Sequence, residues 1–163
     1  MAKAYLSLGS NLEPERHLRE AIRALRARFG EVVVSPVYRT RAVGFDGPDF
    51  LNAAALIDSD LDPYALDRWL HDLEDAHGRD RSGPRFGNRT LDVDLVLYGN
   101  LTLQGPGRLQ IPRPELQHAF VLRPLAEIAP DAVVPGVERT LAELWEAHPE
   151  RHEPARVVTL PSA

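Results

Sequence analysis

Residues 90–98 read Thr-Leu-Asp-Val-Asp-Leu-Val-Leu-Tyr and are closed by Gly99-Asn100. The alternation of apolar and acidic residues has the period of a strand, with Leu91, Val93, Leu95 and Leu97 on one side and Asp92 and Asp94 on the other. Upstream, Asp62-Pro63 opens a helix whose apolar stripe is Leu66, Trp69, Leu70 and Leu73, stopping near Gly78. Before it come an apolar run at 50–57 (FLNAAALI) and a β-branched run at 31–40 (EVVVSPVYRT). Pro36 cannot donate to a ladder, so the second run reads as an edge strand or a bulged one. A first helix is marked by Pro14, by Leu18, Ile22, Leu25 and Phe29, and by Gly30 as its stop. A short strand over Ala4–Leu8 precedes it.

This order, β-α-β-β-α-β over residues 4–98, predicts an α+β chain of ferredoxin-like, split β-α-β type. It implies an antiparallel sheet with helices packed on one face and the site on the other. Beyond it, the sequence predicts a short helix around 120–129 and a helical stripe at Leu141, Leu144 and Trp145. The chain ends in an apolar segment, 157–160. At 163 residues, 44% hydrophobic and 26% charged, the whole of 1–163 reads as a single domain.

Nineteen basic residues stand against 24 acidic ones, a net charge of −5. That balance disfavours broad electrostatic binding to nucleic acid or to an anionic membrane. No cysteine is present, which excludes thiol catalysis and thiolate metal sites. No apolar run approaches the roughly 18–20 residues of a membrane span, and the N-terminus lacks a signal-peptide core. The expectation is a cytoplasmic monomer acting on small molecules.

The candidate chemistry lies in GRDRSGPRFGNRTLDVD, residues 78–94. Two residues along a strand are roughly 6.5 Å apart, so the Asp92 and Asp94 carboxylates can converge on divalent cations that relieve their repulsion. Arg79, Arg81, Arg85 and Arg89 interleave with glycines just upstream, and guanidinium forks bind phosphate oxygens bidentately. A carboxylate pair beside an arginine-rich loop suits transfer of a phosphoryl or pyrophosphoryl group, with magnesium neutralising charge. An RNA-binding sheet is the alternative, weakened by the acidic balance and by Phe86 being the sole aromatic residue in the run. Of the histidines, His77 reads as a helix-end residue, whereas His17, His148 and His152 fall in polar stretches.

The pieces AYLSLGSN, VYRT, GPDFLNAAALI, LEDAHGR, RFGNRTLDVDLVLYGN, IPRP and AFVLRPLAEIAPD together resemble the 6-hydroxymethyl-7,8-dihydropterin pyrophosphokinase family of folate synthesis. The resemblance covers residues 4 to about 131, and the LDVDLVLYGN block is its most specific part. It implies transfer of the β,γ-pyrophosphoryl group of ATP to the pterin hydroxymethyl oxygen, releasing AMP. By the same resemblance, Asp92 and Asp94 hold two magnesium ions, one of which also touches the attacking hydroxyl. Arg81 and Arg85 are loop residues that close on the phosphates, with Arg89, a further nucleotide-binding candidate, anchoring at the start of the strand. His71, Glu74, Leu95 and Arg108 line the nucleotide pocket. Asn52 meets the pterin edge, the rings of Phe86 and Phe120 sandwich it, and Thr40, Arg41, Val43 and Phe50 complete the wall.

Some positions depart from the family pattern. Arg113 stands where histidine is usual, and His118 stands near the family's arginine, so both are nucleotide-binding candidates. Phe86 replaces a frequent tryptophan, and Arg41 a frequent proline. Asp94 is the candidate acceptor of the hydroxyl proton. Two further readings remain: a nucleotidyl transferase using the same aspartates, and a binding member of the family without catalysis.

Overall fold

The structure is a computed structural model that describes residues 1–42, 46–78, 90–105, 107 and 109–160. Its centre is a six-stranded sheet. The main strands are β1 (Ala2–Ser10), β2 (Val32–Val34), β3 (Val37–Thr40), β4 (Phe50–Ser59) and β5 (Asp92–Tyr98). The helices are α1 (Pro14–Phe29), α2 (Pro63–Ala76), α3 (Ala119–Ile128) and α4 (Leu141–Glu146). Two small hairpins, β6 (Leu103–Gln104) with β7 (Gln110–Ile111) and β8 (Val133–Val134) with β9 (Arg139–Thr140), decorate the C-terminal half. The sheet runs β10-β3-β4-β1-β5, every pairing antiparallel, where β10 is Val157–Val158; β2 also pairs with β4. Counting β2 and β3 as one interrupted strand, this is the expected split β-α-β order.

The interruption falls at Ser35-Pro36. Val34 lies opposite Ala55 and Tyr38 opposite Asn52, so one residue more is used on the β2–β3 side than on β4. Pro36 has no N–H to offer, and Ser35 mends the ladder around it. Its N–H donates to the Ala54 carbonyl at 2.9 Å, and its hydroxyl accepts the Ala54 N–H at 2.8 Å.

Both predicted helix starts hold. Pro14 and Pro63 occupy first-turn positions, and the Asp62 carboxylate accepts the Ala65 N–H at 2.8 Å. The buried stripes of α1 (Leu18, Ala21, Ile22, Leu25) and α2 (Leu66, Leu70) meet Leu6, Leu8, Ala55, Ile57, Val93 and Leu95 on one face of the sheet. The opposite face is not left bare. Val121, Leu122 and Leu125 of α3, with Leu141 of α4, pack on Ala54, Val96 and Leu97. The α+β class stands, with α3 and α4 covering part of the second face.

Leu97 departs from the expected alternation. The register between β1 and β5 slips between Tyr5 and Leu6: Leu6 faces Leu95 and Tyr5 faces Leu97, so Val96 is an extra residue. The strand turns over there, and Leu97 joins the α3 core instead of the Leu91–Leu95 side. The apolar tail, left open by the sequence, adds β10 to the edge of β3.

Candidate active site

Register places the site before any side chain is considered. Partners in an antiparallel pair share a face, so Tyr38, Asn52, Gly9 and Asp92 form one row across β3, β4, β1 and β5. Thr40 and Phe50 pair one step along on the same face, while Ser7 and Asp94 pair one step the other way. Thr40, Phe50, Asn52, Asp92 and Asp94, chosen from the sequence as candidates, therefore line one side of the sheet.

Gly9 is what gives the row its shape. A Cβ there would stand 3.0 Å from Asn52 Oδ1, so the amide lies over the glycine backbone. Asn52 is only 5% exposed, and its Nδ2 donates to Thr40 Oγ1 at 2.5 Å. The amide is thus fixed at one end by Thr40 and floored by Gly9. Two residues on, Asn11 donates from Nδ2 to the Pro48 carbonyl at 3.2 Å, tying the β1 turn to the approach of β4. Neither role was anticipated, because the face on which Gly9 falls is set by the pairing of β1 with β5.

Asp92 and Asp94 do converge. Their carboxylates and that of Glu74 offer oxygens within 4.8 Å of one another. Glu74 arrives from the buried stripe of α2, 2% exposed, and its Oε2 accepts the Val93 N–H at 2.8 Å. Burial, then the neighbouring Asp92 charge, hold the Asp94 carboxyl well above the usual carboxylate range; Glu74 and Glu115 add to this, and Arg113 opposes it. A cluster of hard oxygen donors under mutual repulsion fits a divalent cation such as magnesium.

Arg113 comes to the same place. Its backbone N–H donates to the Val96 carbonyl at 3.0 Å, and its Nη2 lies 3.2 Å from Asp94 Oδ1. Glu115 flanks it, with Oε2 at 3.4 Å from Nε but outside hydrogen-bonding geometry. The Glu115 carboxylate was not foreseen; only its i+2 spacing from Arg113 hinted at it. His118 precedes α3, its ring stacked on Phe120 with centroids 5.1 Å apart and planes 11° from parallel.

The remaining candidates divide. His71 stands on α2 one turn before Glu74, partly exposed, 3.8 Å from Asp67 Oδ1. Arg41 is exposed just past β3. Leu95 is fully buried against the helices on the reverse face from the aspartates, so its side chain does not line the acidic face. Arg81, Arg85, Phe86, Arg89, Val43 and Arg108 lie outside the described residues. One sequence reading needs correcting away from this face. His17 was placed in a polar stretch, yet it is 4% exposed, because its position on α1 falls beside Leu18 and Ala21 in the buried stripe.

Residues 5–130 match the family model described as 7,8-dihydro-6-hydroxymethylpterin-pyrophosphokinase. The chain belongs to this family. A relative in Haemophilus influenzae, named 2-amino-4-hydroxy-6-hydroxymethyldihydropteridine pyrophosphokinase, is 41% identical over 141 residues, covering 83% of this chain and 87% of the relative. One of the same name in Methylorubrum extorquens is 42% identical over 160 residues, 94% of this chain and all of the relative. Among solved structures, wild-type HPPK-DHPS of Plasmodium falciparum superposes with a TM-score of 0.74 at 12% identity, covering 92% of this chain and 45% of that longer chain. That likeness establishes the pyrophosphokinase fold. No helix among the described residues is long and apolar enough to cross a membrane.

Proposed function

We propose that the chain is a 6-hydroxymethyl-7,8-dihydropterin pyrophosphokinase of folate biosynthesis, using magnesium and ATP. The observation that carries this reading is the single row Asn52–Gly9–Asp92, which sets an amide for a heterocycle edge beside an acidic cation site. In the reaction the pterin hydroxymethyl oxygen attacks the β-phosphorus of ATP. The new O–Pβ bond forms as the bond from Pβ to the α,β-bridging oxygen breaks, AMP leaves, and the hydroxyl proton passes to base or solvent.

The chain's own residues supply orientation. Asn52, locked by Thr40, presents a donor and an acceptor to the pterin edge, and Phe50 and Phe120 are apolar neighbours for its ring. Asp92 and Asp94 would hold magnesium, which when bound supplies positive charge against the triphosphate and its developing negative charge. Arg113, poised on Asp94, is a described guanidinium at the acidic cluster that would meet the phosphates, with His118 beside Phe120 as a second cationic candidate. Arg81, Arg85 and Arg89 would add phosphate contacts, with Phe86 closing the pterin sandwich. The same reading makes residues 1–163 one domain and the protein a cytoplasmic monomer without nucleic-acid partners.

Incubation with ATP, magnesium and the reduced pterin tests it. Stoichiometric AMP with a pyrophosphorylated pterin is expected. Release of pyrophosphate with AMP retained on the acceptor would identify a nucleotidyl transferase. Tight, magnesium-dependent ligand binding without turnover would identify a binding member instead.

A further inference from the structure

His17, Glu20 and His77 gather on the helical side of the sheet, away from the aspartates. Their donor atoms lie within 4.8 Å of one another. His17 and Glu20 are three apart on α1 and so share a helix face, while His77 caps the C-terminal end of α2. The Nδ1 atoms of the two rings are 2.6 Å apart, and Glu20 Oε2 is 3.9 Å from His77 Nδ1. The rings meet edge to face, with centroids 4.9 Å apart.

A hydrogen bond between the rings accounts for only part of this. Arg16 Nη2, which can only donate, lies 3.4 Å from His17 Nε2. His17 then carries its proton on Nδ1 and donates to His77 Nδ1. That leaves the His77 lone pair and the Glu20 carboxylate, two acceptors, converging on one proton. Burial lowers the proton affinity of both rings, most strongly of all the influences on each, so both stay neutral with lone pairs available.

We infer that His17, Glu20 and His77 form a second cation site, a two-histidine, one-carboxylate set that takes a first-row divalent transition ion such as Zn2+. Ligand nitrogens about 2.0–2.1 Å from a tetrahedral ion are about 3.3 Å from each other. The observed 2.6 and 3.9 Å bracket that spacing and the third edge lies within 4.8 Å, so side-chain shifts of up to about 1.5 Å seat the ion. The His17 proton moves from Nδ1 to Nε2, which releases Arg16 to Glu13, its partner at 2.9 Å. Glu20 is 41% exposed, giving the ion an entry path and a water as fourth ligand. Imidazole and carboxylate donors favour such ions over magnesium, so the two sites sort their metals. The bound ion ties α1 to the end of α2, one turn from Glu74 and its bond to Val93.

The test is titration of the metal-free full-length protein with Co2+ in excess magnesium, read by the visible absorption of tetrahedral cobalt. One equivalent is expected to give the band, and one of Zn2+ to remove it. Asp92→Asn leaves the band intact, whereas His77→Gln abolishes it. Glu20→Gln, on an exposed position that does not endanger folding, weakens Co2+ binding by about tenfold or more. Zn2+ should also raise the melting temperature of the wild type, and by less in Glu20→Gln at the same Zn2+ concentration. Absence of the band, or a band indifferent to both Glu20→Gln and His77→Gln, overturns the inference.

Discussion

Gly9→Ala isolates the row on which the functional reading rests. The backbone at Gly9 is not among the positive-φ positions, so alanine meets no conformational barrier in β1. The change should even reduce unfolded-chain entropy, worth about 0.4–1 kcal/mol of stability. Its Cβ would sit 3.0 Å from Asn52 Oδ1, where an unstrained contact needs about 3.4 Å or more. The amide must therefore move by a few tenths of an ångström or rotate off Thr40. Loss or distortion of one hydrogen bond to the pterin edge costs about 0.5–1.5 kcal/mol, which is about 2- to 13-fold in affinity. The assay is fluorescence titration of the reduced pterin into enzyme saturated with magnesium and a nonhydrolysable ATP analogue, beside a urea melt. Weaker pterin binding with unchanged nucleotide binding and a stable fold is expected. Pterin affinity within twofold of wild type, or an equal loss of nucleotide affinity, would refute the account of Gly9 as the floor beneath the amide.

Asn52→Ala removes both polar ends of the amide and should raise the pterin KM by about 5- to 150-fold, with kcat much less affected; steady-state kinetics decide. Glu74→Ala strands the buried Val93 N–H, for about 1–3 kcal/mol and a melting point about 2–12 °C lower, while Glu74→Gln keeps an acceptor and recovers most of it. In chelator, the contribution of the His17–His77 pair to stability should be constant above about pH 6.5 and be lost as pH drops below that value. The unfolded chain protonates His17 and His77 at their ordinary 6.5, whereas the native rings, shielded by burial and opposed by Arg16 though favoured by Glu20, resist until lower pH. Urea midpoints in the wild type and in His77→Gln, where the slope flattens, check the sign.

The legible parts of the sequence were those with local chemical causes. Pro14, Pro63 and Asp62 mark helix starts because they act within one turn, and Asp92 and Asp94 share a face because strand period is local. Leu97 was misplaced because a register slip against Tyr5 is a property of two strands, which alternation along one strand does not encode. His17 looked polar because its sequence neighbours Arg16 and Arg19 are, although its angular position on α1 is that of the core stripe. Arg113 was legible as a departure from the family pattern. Its hold on Asp94 depends on a connection that returns to the edge of β5, and nothing in IPRP specifies that distance.

The serine-proline step in the second strand has a consequence for the binding wall. Before it, even-numbered Val32 and Val34 point toward the helices; after it, odd-numbered Val37 does, and Tyr38 and Thr40 look the other way. The step is a phase inverter. Were the strand instead to run straight through, with Ser35 and Pro36 each taking a ladder position of its own, Arg39 would face the floor of the pterin wall and Thr40 would be buried among aliphatic side chains, leaving the amide of Asn52 without its latch.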